Sequence, residues 1–534
     1  MRKTWWIGLV VGMAILVFGT GLLAQEGATF QGVVFEDRNG NGILDAGEKG
    51  VAGVCVSNGL EVTQTDSEGR YTLPKREEMV VFVVKPAGYN LPVNEKNVPQ
   101  FFYVHRPNGS PAFIKEYAGF APTGEIPASL NFPLLPGRVE ENFTAIICGD
   151  SQVTDHQEIS YLRDSLVRDV KESGIGASFV LALGDNVNDV LGLYDRYLET
   201  MGYMGFPVFY VFGNHDMNFD SPNDTYHNET YLRKVMPTYY AFAYGKVHFV
   251  VLEDVVWDGK AYYGAISEEQ LTWLRNYLNF VPQEALLVVA MHIPLVSYMD
   301  RAAEKHQVKN RQDLFEILKD RKVLFLAGHT HTLERLYPDT EIDGWKPELP
   351  FPQIIAGATC GSWWSGPKDE YGIPFSYQRD AAPKGYLIME FQGTEWKESY
   401  KVPGRALEDQ INISFFIADR VERRLKKPAL PDSVFLRGDL EGVHLVANVF
   451  CDVAKIECTI DGTTSQAMTR KSLPDPIMNA YLNDLPDWMR PQGSTHTFLA
   501  TLPRDLKPGI HTATVTVEDR YGRKYQKQRL FEVW

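Results

Sequence analysis

Val208-Phe209-Tyr210-Val211-Phe212 empties into Gly213-Asn214-His215-Asp216, and the reading of this junction decides the fold. An unbroken apolar run of this length reads as a strand buried on both faces, which leaves the polar four in the loop at its carboxyl end. There Asn214 offers a neutral carbonyl oxygen to a metal, His215 a proton in the physiological range, and Asp216 a carboxylate to fix the His215 tautomer. Taken alone, the four residues are equally a polar turn.

The same junction recurs along the chain. Phe143–Cys148 runs into Gly149-Asp150-Ser151-Gln152, and Phe179–Leu183 into Gly184-Asp185-Asn186. Leu286–Ala290 runs into Met291-His292, and Val323–Ala327 into Gly328-His329-Thr330-His331. His248–Leu252 and Gln353–Ala356 add further strands. Helical stretches alternate with them, opened by capping pairs at Thr154/Gln157 and Ser267/Gln270. This alternation predicts an α/β layered domain over 139–401. Parallel strands present their carboxyl ends at one sheet edge, where ligands bind. Seven candidate metal ligands therefore converge: Asp150, Gln152, Asp185, Asn214, His292, His329 and His331.

Residues 28–120 read as a small β-sandwich, with valine-rich runs at Phe30–Phe35, Gly53–Val56, Arg70–Leu73 and Met79–Val84. Between the first two lies a match to the twelve-residue calcium loop. Asp37, Asn39, Asn41 and Asp45 supply side-chain oxygens, Ile43 a main-chain carbonyl, Glu48 a bidentate carboxylate and Gly42 the sharp turn. Its flanks are strands, so the expected role is structural; the alternative is an Asx/Gly-rich turn without metal. Residues 121–138, with four prolines, read as a semi-rigid linker or strap. After 402 the strand pattern returns at Gly442–Phe450, Ala454–Ile460, Thr497–Thr501, His511–Val517 and Arg529–Val533, a C-terminal β-rich domain.

A net charge of −15 argues against nucleic acid or an anionic membrane as the main partner, but not against a phosphorylated substrate met by bound metal ions. Arg2 and Lys3 precede the apolar run Trp5–Leu23, which reads as a signal peptide over 1–24 or, uncleaved, an anchor. Either places the bulk of the chain in the periplasm or outside the cell, with no transmembrane domain beyond that segment. Of the five cysteines, Cys451 and Cys458 are close enough in sequence to bridge a hairpin, while Cys55, Cys148 and Cys360 read as buried free thiols.

The ordered set G-D-x-Q, G-D-N, G-N-H-D, a lone H and G-H-T-H resembles the calcineurin-like metallophosphoesterases. Pro237-Thr238-Tyr239-Tyr240 and Ala358–Trp364 further resemble the exported bacterial subgroup with accessory N- and C-terminal domains. The resemblance implies a layered αββα domain, a β-sandwich flanked by helices, between all-β N-terminal and C-terminal domains. It implies two divalent ions, Mn, Fe or Zn. Asp150, Gln152, Asp185 and His331 would hold the first, and Asp185, Asn214, His292 and His329 the second, with Asp185 bridging. A hydroxide bridging the metals would attack a phosphate ester, with His215 as general acid oriented by Asp216. The family usually has histidine where Gln152 stands; a glutamine oxygen is a harder ligand and favours Mn²⁺ or Fe²⁺. His156 is an alternative ligand, set against a place in the first helical turn.

Substrate choice is expected in the aromatic-rich segments Met217–Tyr240 and Arg335–Tyr386, where Trp345, Trp363, Trp364 and Tyr371 stack on a base or sugar or else fill the core. Asp189 has no role that sequence decides. The competing reading is a surface or periplasmic binding or scaffold protein with a residual metal centre. Monoester and diester substrates are not separated.

Overall fold

The computed structural model describes residues 27–417, 433–463, 465–476, 478 and 492–534. The N-terminal apolar run lies outside them. Among the described residues no helix is long and apolar enough to cross a membrane.

The central domain is built on two stacked sheets. One has Val208–Tyr210, Phe179–Ala182 and Asn142–Cys148 running parallel, extended by the antiparallel pair Tyr386–Gln392 and Glu395–Lys401. The other carries Val247–Val251, Leu286–Ala290, Lys322–Ala327 and Gln353–Ala356 in parallel, with Tyr240–Tyr244 and Leu333–Leu336 antiparallel at its edges. Phenylalanine rings fill the space between the sheets. Phe209 stacks on Phe242 at 3.9 Å, and Phe179 meets Phe249 edge-on at 5.0 Å. The converging strand ends thus belong to two sheets whose edges coincide. The layered α/β fold with flanking β domains is as expected from sequence.

Helices cover the outer faces. Glu268–Leu278 starts at Ser267, whose side chain accepts from the Gln270 amide, and buries Leu271, Trp273, Leu274 and Tyr277. His156–Leu162 is capped by Asp155 and not by Thr154: Asp155 accepts from the Gln157 and Glu158 amides, and Glu158 in turn accepts from the Thr154 amide. An Asp one residue nearer the helix reaches the same orphan amides and displaces the threonine. His156 is exposed in the first turn of this helix and is not part of the buried cluster Asp185, His292 and His329.

The N-terminal module packs two four-stranded sheets. Part of the proline-rich stretch read as a linker is a strand, Phe132–Pro136, which pairs parallel to Thr29–Glu36. The calcium-type loop is closed by its own side chains. The Asp37 carboxylate accepts from the Gly40 and Gly42 amides at 2.7 and 2.8 Å, and Asn39 and Asn41 both donate to Asp45 at 2.8 and 2.9 Å. Glu48 accepts from the amides of Arg38 and Asp45, and Ile43 is exposed.

Among the described residues, the C-terminal module is a sandwich of a four-stranded and a five-stranded sheet around its own core. All five cysteines are free and buried, so the Cys451–Cys458 bridge considered from spacing does not form. Cys458 lies within the strand Val453–Ile460 opposite Val515, while Cys451 precedes that strand, so the two are not cross-strand partners of a hairpin.

Candidate metal centre

Three of the ligand-bearing loops turn sharply out of their strands, and the backbone shows it. Gln152, Asp185, His329 and His331 all have positive φ, at 39°, 47°, 72° and 52°, as does Asp189 at 65°. Left-handed backbone at non-glycine residues costs on the order of 1–3 kcal/mol each and gathers at functional sites. The loops also touch. A Cβ on Gly213 would lie 2.1 Å from the Asp185 amide nitrogen, one on Gly184 would lie 2.5 Å from His292 Nδ1, and one on Gly328 would lie 2.7 Å from Asp150 Oδ2. Glycine before Asp185, Asn214 and His329 is therefore a requirement of close approach.

The structure brings the seven candidate residues together, all buried. His292 Nε2 stands 3.2 Å from Asp185 Oδ1 and 3.2 Å from Asn214 Oδ1. His329 Nδ1 is 3.2 Å from His292 Nε2, and Asp185, His292 and His329 form a cluster able to hold a metal ion. His331 Nε2 is 3.7 Å from Asp150 Oδ1, and Gln152 Nε2 donates to Asp185 at 3.3 Å. The Gln152 carbonyl oxygen is buried without a partner. A buried acceptor left unsatisfied costs about 1–3 kcal/mol, and a cation would remove that cost. Two carboxylates, two amide oxygens and three imidazoles suit Mn, Fe or Zn.

Electrostatics points the same way. Burial pushes the Asp150 carboxyl up to about 7. His292 moves up to about 10, because Asp185 and Asp150 outweigh the burial that works against its charge. The pocket thus draws positive charge to its centre. His329 and His331 move down through burial, the latter to about 3, and stay neutral as ligands must.

His215 is oriented by Asp189 and not by Asp216. Its Nδ1 lies 2.7 Å from Asp189 Oδ1, and its amide donates to Asp185 at 2.8 Å. Asp216 is fully buried elsewhere. It accepts from the amides of Asn186 and Gly213, from Asn186 Nδ2, and from Tyr194 Oη at 2.8 Å. Residues 214–216 form a 3-10 turn, in which successive side chains point about a third of a turn apart, so neighbours in sequence do not face each other. Asp216 pins this loop to the Gly184-Asp185-Asn186 loop. Burial weighs against the charge on His215, but Asp185 and Asp189 outweigh it and shift the imidazole up.

Sequence reasoning missed His306, whose Nδ1 lies 2.7 Å from His329 Nε2. No strand empties into His306, so the signal that marks the other ligand loops is missing. It also missed Asp254, buried behind His292 and accepting from the His292 and Ile293 amides. The expected rim aromatics divide. Trp364 is buried and donates to Ser151 O at 3.0 Å, and Trp345 packs on Tyr298. Trp363 stacks on His331 with centroids 4.3 Å apart, while Tyr371 is exposed beside Arg168. Met217–Tyr240 seats the N-terminal module: Glu229 pairs with Arg106 at 2.9 Å, and Asp220 accepts from the Lys115 and Glu116 amides.

Comparison with known proteins returns three family matches. Calcineurin-like phosphoesterase matches residues 143–333, the N terminal of calcineurin-like phosphoesterase matches 38–115, and the C terminal of calcineurin-like phosphoesterase matches 354–525. A probable glycerophosphodiester phosphodiesterase of Arcobacter nitrofigilis is 29% identical over 146 residues, 26% of this chain. The chain spans half the length of that relative. Among solved structures, a purple acid phosphatase from yellow lupin seeds aligns at 12% identity and TM-score 0.35, over 66% of this chain and 67% of its own. PhoD aligns at 13% and 0.34, over 70% and 85%.

Proposed function

We propose, from the premise that this chain belongs to the calcineurin-like phosphoesterase family with its N- and C-terminal accessory domains, that it is an exported dinuclear metal hydrolase of phosphate esters. The observation that carries this reading is the buried convergence of Asp150, Gln152, Asp185, Asn214, His292, His329 and His331, with the Gln152 oxygen unpartnered. Asp150, Gln152, Asp185 and His331 would hold one ion, and Asp185, Asn214, His292 and His329 the other. Two divalent ions there supply Lewis acidity at the phosphoryl oxygens and a nucleophile at neutral pH.

The chain's own residues do the rest. Asp189 holds His215 by Nδ1, which leaves Nε2 free to carry a proton. From there His215 donates to the departing alkoxide, a contribution of roughly 10²–10⁴-fold. Asp216 holds the loop in place and does not exchange protons with His215. Export rests on the N-terminal apolar run after Arg2 and Lys3. The loop Asp37–Glu48 would hold a structural calcium ion, since its oxygen-bearing side chains match the calcium pattern; chelation should then lower the joint melting transition of the N-terminal and central domains.

The test is the full chain with Mn²⁺ on p-nitrophenyl phosphate and on its bis ester. Turnover of either supports the reading, and the ratio of rates decides monoester against diester. No turnover with any divalent ion returns the chain to a binding or scaffold role. His215→Ala should lose turnover on a poor leaving group with metal content unchanged, and Asp185→Asn should lose both metals.

A further inference from the structure

A neutral imidazole has one nitrogen that donates and one that accepts, so a metal-binding histidine needs a partner for its protonated side. His292 and His331 find theirs on main-chain carbonyls, with Nδ1 2.8 Å from Leu183 O and 2.6 Å from Gly361 O. That leaves Nε2 of each turned to the centre. His329 is arranged the other way round. Its Nδ1 faces His292 Nε2, and its Nε2 meets another side chain, Nδ1 of His306, at 2.7 Å.

We propose that His306 is a positioning residue that fixes the metal-binding tautomer of His329, by accepting at Nδ1 the proton that His329 carries on Nε2. The His329 Nδ1 lone pair is thereby held toward Asp185 and His292. The proposal rests on the reading of this cluster as a divalent-metal site.

The surroundings are built to hold His306 where it is. Ala303 N donates to Asp300 O and His306 N to Ala303 O, which folds the segment into consecutive tight turns. Arg379 clamps the start of that segment, with Nη1 and Nη2 on the two Asp300 oxygens at 2.8 and 3.1 Å. The same Nη1 donates to Thr330 O at 3.0 Å, between His329 and His331. One guanidinium therefore ties the loop that carries His306 to the loop that carries His329. A planar two-pronged donor fixes both distance and orientation, as a lysine would not. On its other side the His329 ring meets Tyr262 edge-on, with centroids 5.9 Å apart, so the imidazole is held between two rings. Gln492 of the C-terminal module accepts from Arg379 Nη2 at 3.3 Å, which braces the clamp from behind.

The bland reading is a packing contact between two rings. The two readings separate on what replaces His306. Phenylalanine keeps a ring and has no acceptor; glutamine loses the ring and has an acceptor. The experiment titrates the metal-stripped full chain with Mn²⁺ and reads bound ion by equilibrium dialysis, for wild type, His306→Phe and His306→Gln. With the Asp37–Glu48 loop first saturated with Ca²⁺, wild type is expected to bind two Mn²⁺ ions. His306→Phe should bind one as wild type does and the other about 10–100-fold more weakly, the usual cost of losing such an outer partner. His306→Gln should recover most of that loss. The proposal is overturned if His306→Phe binds both ions as tightly as wild type, or if His306→Gln is no better than phenylalanine. Wild type that takes up no divalent ion overturns the metal-centre reading itself, a failure visible before any variant is compared.

Discussion

Phe82 and Phe101 carry the core of the N-terminal module into that of the central domain, whereas the C-terminal module keeps a core of its own and meets the central domain largely through polar side chains. On the first seam Phe82 packs edge-on against Trp273 at 5.8 Å, and Phe101 lies tilted against Tyr240 at 5.3 Å. Lys85 is buried there, with Nζ donating to Ala243 O at 2.9 Å and lying over the Tyr244 ring. On the second seam Arg335 pairs with buried Glu398 and reaches Phe450 O, Tyr337 bonds Asp452, and Arg523 donates to Ser399 and Glu398 O. Phe450 of the C-terminal module joins the central core. An apolar seam is non-directional and makes two modules melt as one; a polar seam fixes orientation and adds less per contact. The N-terminal module thus serves as part of the central body, and the C-terminal module as a brace set at a defined angle.

This contrast can be broken or sharpened by experiment. The largest effect is expected from pH at Lys85. Burial lowers its ammonium to about 7, with Glu140 opposing the shift only in part. The folded state then binds fewer protons than the unfolded one between about 7 and the ordinary lysine value. The penalty is fully present below pH 7, and stability rises as pH climbs through that window. Urea unfolding of wild type minus Lys85→Met should gain about 1.4 kcal/mol per pH unit, up to about 5 kcal/mol; a difference that stays flat from pH 7 to 9.5 would mean that the seam does not disfavour the Lys85 ammonium. Next, Phe82→Ala should cost roughly 3–5 kcal/mol and lower the joint transition of the N-terminal and central domains in calorimetry. A separate N-terminal transition would contradict the shared core. Arg523→Ala removes two bonds on the polar seam, and about 1.5–3 kcal/mol should be lost from the C-terminal transition alone. Smallest is Tyr239→Phe, which removes the bond to Gly59 O at 2.8 Å. About 0.5–1.5 kcal/mol is expected, since the ring stays packed on Trp273; a larger loss would show that this one bond holds the first seam as strongly as its rings do.

Much of the centre could be read from the sequence because its ligands are local to strand ends. Asp150, Asp185, Asn214, His292 and His329 each follow an apolar run within a few residues, and such runs have one outcome in a layered α/β domain. The partner of His215 was not legible. Asp216 is adjacent in sequence but is turned into the interior, while Asp189, 26 residues upstream, arrives through the left-handed turn at its own position. His306 was invisible for a similar reason, since its place depends on Arg379 from a distant segment. The strand at Phe132–Pro136 was hidden by Pro133 and Pro136, which a strand tolerates where their missing N–H groups are not needed. The seams were not legible at all, because apolar residues on a module surface look the same in sequence as those in its core.

The glycines in front of the ligands carry a consequence for anyone who maps this protein by mutagenesis. An alanine scan ranks residues by the atoms it deletes, and at Gly213, Gly184 and Gly328 alanine is an insertion. One methyl group at Gly213 would sit against the Asp185 amide and carboxylate, at 2.1 and 2.4 Å, and the backbone nitrogen has no freedom to swing aside. The scan should therefore rank positions that donate nothing to metal or substrate beside the ligands themselves. A library built on side-chain chemistry alone would leave those positions out.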